Sequence, residues 1–244
     1  PSFVENLEDG WISNAQCLKS ITISSNNKNF KYEDEEHQII IGKSDKNSEY
    51  FDVLVFANRN IKNIKIPYYI KHISSFAFGN CRKLTKIEIP ENSNLQSIGK
   101  CAFSKTLIET INFTTNVETL DDDWCNNANL LKTLTISPNN KNFKYLDKTH
   151  QIIIGKSDKN SEDYDVLVFA NRDIETATIP ASIKRIASFA FENCKHLIQL
   201  TIQDNSKLQT IRKRAFSFTS IEKITIPKSV EIIEESAFIY CESL

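Results

Sequence analysis

The sequence predicts an α/β, β-rich solenoid of stacked coils, and three observations predict it. First, the blocks NNKNFKY, HQIIIGKSDKNSE and DVLVFANR occur twice, within 26–59 and 139–172, at a constant offset of 113 residues. The offset holds elsewhere: Trp11 maps on Trp124, Pro67 on Pro180, Phe76 on Phe189, Cys81 on Cys194 and Phe103 on Phe216. The chain is therefore a tandem duplication, 1–131 and 114–244. Second, each copy holds a finer repeat, read from Ala77 as AF-x-x-C-x-x-L-x-x-I-x-I-P and again from Ala190 and Ala237. Third, an I-x-I type triplet recurs eight times, at Ile21, Ile64, Ile87, Ile111, Leu134, Ala177, Leu200 and Ile224, spaced by 43, 23, 24, 23, 43, 23 and 24 residues.

Each element follows from these patterns. Alternating apolar residues over a few positions form a short strand with one buried face. Apolar positions recurring every 20–29 residues are the signature of leucine-rich repeats, in which no unit can bury its apolar face alone. The triplets thus line up as a parallel inner sheet of one curved, right-handed leucine-rich-repeat solenoid spanning 1–244. Phe78, Phe103, Phe191, Phe216 and Phe238 should point inward from the outer arc and stack as a ladder. Trp11 and Trp124 take the Ala place of the AF pair, with Ile12 and Cys125 in the Phe place. Pro67, Pro90, Pro180 and Pro227 directly follow a triplet and end its strand, because proline has no N–H to donate. The two 43-residue units carry III at 39–41 and VLVF at 53–56, a predicted β-hairpin whose polar loop Gly42–Tyr50, or Gly155–Tyr164 in the second copy, is exposed. Whether that insert adds a rung or protrudes is open.

Composition narrows the function classes. With 40% hydrophobic and 25% charged residues the chain reads as an ordinary folded protein. A formal net charge of −1 argues against nucleic acid, which demands clustered positive charge. No apolar run is long enough for membrane insertion. Six cysteines are scattered without a C-x-x-C pair, and Cys81, Cys194 and Cys241 share one repeat position, so each reads as a small buried side chain. Methionine is absent, and the chain starts and stops in mid-unit without a polar cap, which predicts either a piece of a longer protein or end-to-end self-association.

Catalytic and cofactor chemistry finds no residues. His37, His72, His150 and His196 pair with no Cys, Ser or carboxylate at a known spacing and read as surface histidines. Asp121–Asp123 lacks the alternating oxygens and turn glycine of a calcium loop. Five glycines cannot hide a phosphate loop. The reading is of a non-enzyme without metal or cofactor. One glycosylation sequon, Asn112-Phe113-Thr114, places Asn112 facing outward from a rung.

The stretches AFGNCRKLTKIEIP (77–90), AFENCKHLIQLTI (190–202) and IPKSVEIIEESAFIYC (226–241) resemble the BspA-like, treponemal-type leucine-rich-repeat proteins. The inserted KYLDKTHQIIIGK and DVLVFANR look like that family's extended units, especially in surface antigens of mucosal parasitic protists. The resemblance covers essentially the whole chain. It implies a cell-surface or secreted protein that adheres to host cells, extracellular matrix or other microbes, and it implies no catalytic residues. The units at Phe103 and Phe216 depart from the motif: they are one residue short before the strand and lack the Cys.

What remains is surface. The middle residue of each triplet points away from the core, giving the column Thr22, Lys65, Glu88, Asn112, Thr135, Thr178, Thr201 and Thr225 as the candidate binding face. At ~4.8 Å per rung, eight rungs span roughly 35 Å, enough for the ~800 Å² per partner of an ordinary interface. The hairpin loops are its rival. The alternatives to adhesion are an intracellular scaffold for protein–protein interaction and a passive spacer in a surface protein.

Overall fold

A computed structural model describes the chain except for Pro1, Asp9, Asn14, Gln16, Cys17 and Lys19, so the reading of Cys17 lies outside the described residues. The chain divides into two compact units, Pro1–Leu131 and Lys132–Leu244. The first holds β1 (Phe30–Tyr32), β2 (Ile39–Gly42), β3 (Val53–Ala57), β4 (Asn63–Lys65), β5 (His72–Ile73), β6 (Lys86–Glu88), β7 (Ser97–Ile98), β8 (Thr110–Phe113) and β9 (Thr119–Leu120). The second repeats it with β10 (Thr133–Ile136), β11 (Phe143–Tyr145), β12 (Ile152–Gly155), β13 (Val166–Ala170), β14 (Thr176–Ile179), β15 (Arg185–Ile186), β16 (Gln199–Ile202), β17 (Thr210–Ile211) and β18 (Ile232–Ile233). The described residues contain no helix; each unit is a solenoid of strands and turns.

The triplets form the expected parallel strands. In the first unit β4 pairs with β6, with Ile64 opposite Ile87. In the second β14 pairs with β16, with Ala177 opposite Leu200 and Ile179 opposite Ile202. Two of the eight triplets are weaker than expected. Residues 20–24 form no strand, and Lys223 reaches the sheet only through an isolated bridge to Gln199.

Each unit also carries a second parallel sheet that the triplet pattern does not announce. In the first unit it runs β3-β5-β7-β9, with Leu54, Ile73, Ile98 and Leu120 in register. In the second it runs β13-β15-β17-β18, with Leu167, Ile186, Ile211 and Ile233 in register. These rungs after the first are only two residues long, too short to show alternation. The inserts resolve into this sheet. The expected hairpin is present as β2 with β3 and as β12 with β13, each with a bulge in its middle. A third antiparallel strand, β1 or β11, adds to its outer side. The insert therefore widens the second sheet by a meander and adds no triplet rung, and most of its loop is exposed. Gly42 and Gly155 are required here, because a Cβ would stand 2.8 or 2.9 Å from the ring of Phe30 or Phe143 across the strand pair.

Between the sheets, turns close the coils. Phe78, Phe103, Phe191 and Phe216 are fully buried, and Phe238 packs partly buried against the same core. The rings stack as expected: Phe78 on Phe103 at 5.4 Å, Phe191 on Phe216 at 5.0 Å and Phe216 on Phe238 at 5.2 Å. Trp124 takes the alanine's backbone place, its carbonyl accepting the Phe103 amide at 2.9 Å, and its ring meets Phe103 edge-on at 6.2 Å. The amides of Phe76, Phe78 and Asn80 donate to Lys100, Ala102 and Ser104 of the next coil, and those of Phe189, Phe191 and Asn193 to Lys213, Ala215 and Ser217. From Phe76 onward each such turn is bracketed by two left-handed residues four apart, as in Phe76 and Asn80, Cys101 and Lys105, or Arg214 and Phe218.

The cysteine position has a specific job. The Cys81 thiol lies 3.6 Å from the Asn58 carbonyl of the preceding coil, and Cys194 stands likewise to Asn171. In the units at Phe103 and Phe216, which lack the cysteine, Thr106 and Thr219 take its place, fully buried, each donating to its own coil's Phe carbonyl at 2.9 Å. Cys81, Cys194 and Cys241 are free thiols.

Candidate interaction faces

The structure places the predicted column as follows. Thr22, Lys65, Glu88, Thr135, Thr178, Thr201 and Thr225 are exposed. Asn112 is the exception. It is partly buried, and its amide nitrogen donates to the Ile89 carbonyl of the preceding rung at 2.8 Å. The side-chain amide reaches back one rung and satisfies a carbonyl there. Thr114 of the same sequon is 3% exposed, so the sequon is part of the packed coil and not the outward site expected from alternation.

In the first unit Lys65 and Glu88 face each other across β4 and β6 as an exposed ion pair of 3.0 Å. In the second, Thr178 and Thr201 are direct neighbours in register. Beside Thr201 the last triplet leaves the sheet, opening a shallow depression of about 460 Å³ lined by Gln199, Thr201, Ile202, Lys223 and Thr225 among others. Both faces are polar and carry no aromatic ring.

The insert brings together residues that the sequence reading left unassigned. Asp52 opens DVLVFANR and is 5% exposed. It accepts from the Ser44 amide and hydroxyl, both at 2.9 Å, and pairs with Lys71 at 3.2 Å. Asp165 repeats this with Ser157 and Lys184. Burial is the largest single influence on Asp52 and raises its pKa. The Ser44 amide and hydroxyl and Lys71 together outweigh it and hold the carboxyl below its ordinary value. For Asp165 burial again comes first, and Lys184 with Ser157 outweighs it.

Arg59 and Arg172 close the same motif and are buried without a carboxylate partner. Nη1 of Arg172 donates to the Ala190 carbonyl at 2.9 Å and its Nη2 to Phe189 at 3.3 Å, while the guanidinium lies 4.3 Å over the Phe169 ring. Arg59 contacts Ala57, Ala77 and the Phe56 ring in the same way. Each arginine thus ties the last strand of the meander to the turn of the coil that follows. Burial is also what chiefly raises the thiol pKa of Cys81 and Cys194, against the opposing pull of the neighbouring arginine.

The histidines divide. His37 and His150 are exposed and stack on Tyr32 at 3.9 Å and Tyr145 at 4.1 Å. His72 is not the surface residue expected: it is half-buried and its Nδ1 lies 2.8 Å from the Ser97 hydroxyl. Burial lowers its pKa, with Lys71 acting in the same direction and Asp52 against it. Among the described residues no group of three or more His, Cys, Asp or Glu is placed to hold a metal ion.

Fold and faces together define a leucine-rich-repeat solenoid. The sequence agrees more narrowly: the BspA type leucine rich repeat region matches residues 49–147 and 139–244 in 6 copies, and the chain belongs to that family. Among solved structures it is similar to the pneumococcal vaccine antigen PcpA, at 23% identity and a TM-score of 0.63, covering 76% of this chain and 45% of that one. A leucine-rich repeat protein from Eubacterium ventriosum matches at 21% identity and a TM-score of 0.53, covering 96% and 55%. A leucine rich cell surface protein from Faecalibacterium prausnitzii matches at 18% and 0.52, covering 75% and 52%. The chain therefore spans about half the length of the structures it resembles. No curated protein matches it.

Proposed function

We propose that this chain is a non-catalytic recognition module of a surface-displayed protein, adhering to host cells, extracellular matrix or other microbes. The observation that carries the reading is the exposed triplet column. Seven residues of one repeat position, five of them threonine, are exposed, and around Lys65, Glu88 and Thr178 both apolar neighbours in the triplet are buried. Within each unit these mostly small polar side chains form a surface that a protein partner can lie against with little loss of side-chain entropy. Display at a surface is supported by the family, by PcpA being a vaccine antigen and by the F. prausnitzii protein being a cell surface protein.

The test is binding of the purified chain to epithelial cells and to a panel of matrix proteins, beside the variant Lys65→Glu/Thr178→Glu/Thr201→Lys. Saturable binding that the variant loses supports recognition through the triplet face. Binding that the variant keeps moves the surface elsewhere. No binding to any target favours a spacer that holds other parts of a longer protein away from the cell.

A further inference from the structure

The two hairpins carry a second surface of different chemistry. In the first unit, the Lys31 ammonium lies 4.6 Å and the Lys43 ammonium 5.1 Å from the centre of the Phe51 ring. In the second, Lys144 and Lys156 lie 3.9 and 5.3 Å from the centre of the Tyr164 ring. The strand register explains the convergence. Lys31 sits opposite Ile41, and Lys43 follows Ile41 by two residues, so both lysines leave the same face of the meander. Lys144 sits opposite Ile154, and Lys156 follows it by two.

These four cations stand apart from the other basic residues of the motif. Lys71 and Lys184 are neutralised by Asp52 and Asp165, and Lys65 by Glu88. No described carboxylate is paired with Lys31, Lys43, Lys144 or Lys156, and among the described residues their charge-directed contacts are to the two rings. The nearest acids in sequence on the loops, Asp45 and Asp158, turn onto the amides of Asn47 and Asn160 at 2.9 Å. An aromatic face holds an ammonium in place without cancelling its charge, so each hairpin presents two oriented, uncompensated cations beside a ring edge. In the first unit Tyr50, the residue before Phe51, is 78% exposed.

We propose that the two lysine–aromatic clusters are binding sites for a sulfated polysaccharide. A sulfate ester stays ionised and offers three acceptor oxygens, so one group can bridge two ammonium donors. The C–H groups of a sugar ring can pack against the face of an exposed aromatic ring. A polymer repeats both features and can engage more than one cluster. With a net charge of −1 the chain attracts polyanions only where cations are gathered, so recognition is local to the hairpins. The inference is independent of the threonine column.

The experiment is binding of the whole chain to immobilised heparin, with fully desulfated heparin, inorganic sulfate and duplex DNA as comparators. Heparin should bind saturably, desulfated heparin should not, and inorganic sulfate should compete only weakly. Lys31→Gln/Lys43→Gln/Lys144→Gln/Lys156→Gln should weaken heparin binding by about tenfold or more. Lys62→Gln/Lys195→Gln/Lys207→Gln/Lys228→Gln, the same charge change at exposed lysines elsewhere, should change it by less than about threefold. Phe51→Leu/Tyr164→Leu, which keeps the charges and removes the rings, should give an intermediate loss. Thermal unfolding of each variant separates misfolding from lost binding. Equal losses in the two lysine variants, equal binding of desulfated heparin or of DNA, or no binding to heparin would each overturn the proposal.

Discussion

Charged residues buried by the repeat carry the most specific demands on single positions. Arg172 satisfies carbonyls of two successive coils, which no apolar side chain of its size can do. Arg172→Ala should cost about 3 kcal/mol in urea unfolding, and Arg172→Lys should recover little of it because the planar fork is lost. Asp52 and Asp165 make a pH prediction. Their folded pKa values lie below the ordinary 3.8, so the unfolded chain binds protons first as pH falls. Their contribution is thus complete above about pH 4 and disappears as the pH drops through the depressed folded values. Asp52→Asn/Asp165→Asn should be less stable than the parent at pH 7, with a gap that narrows below about pH 4 in urea melts. A gap that does not change with pH would show that the loss lies in hydrogen bonding and not in charge.

At the scale of the element, the ring ladder and the exposed column are opposite cases. Phe191→Ala should cost about 3–5 kcal/mol, while Thr178→Ala should be nearly silent; equal thermal shifts would contradict the register. The left-handed turn positions are a third case. Lys105 has φ 58°, and Lys105→Gly should raise stability by about 0.5–1 kcal/mol, because glycine relieves the Cβ crowding of that conformation. The meander is tied to the preceding triplet by one hydroxyl: Tyr32 Oη accepts from the Ile23 amide at 3.1 Å and donates to the Ile21 carbonyl at 2.6 Å. Tyr145 does the same at Ile136 and Leu134. Where the next coil is missing, a phenol takes over part of its hydrogen bonding.

Across the molecule, what the sequence reveals depends on whether a feature has a period. The triplets and the phenylalanine ladder are legible because buried side chains recur at fixed spacing, and the hairpin is legible because two apolar runs flank a polar one. The second sheet is not, because rungs such as His72–Ile73 and Thr210–Ile211 are too short to alternate. The left-handed positions are hidden as well: Phe76, Cys101, Asp123 and Arg214 share a backbone state and no chemistry. Asp52 and Arg59 look like loop residues at the ends of an apolar strand. Their one signal is that DVLVFANR survives letter for letter in both copies, which duplication alone also explains. Asn112 was misplaced by alternation, which predicts the direction of a Cβ and not the reach of an amide. The lysine–aromatic clusters need the β1–β2 register, which fixes which lysines share a face, and no spacing along the chain encodes it.

The meander also changes how the chain would respond to being pulled. Ordinary coils are joined to their neighbours by short parallel rungs that can open one hydrogen bond at a time. The three antiparallel strands of each insert must slide past one another, breaking their bonds together. Stretched from its ends in a force spectrometer, the chain should release ordinary coils in low-force steps of roughly 8 nm, the extended length of one short repeat. The 43-residue units should yield later, in steps of roughly 15 nm. A chain built this way has a soft spring with two stiff catches, and the lysine-bearing hairpins are part of the catches.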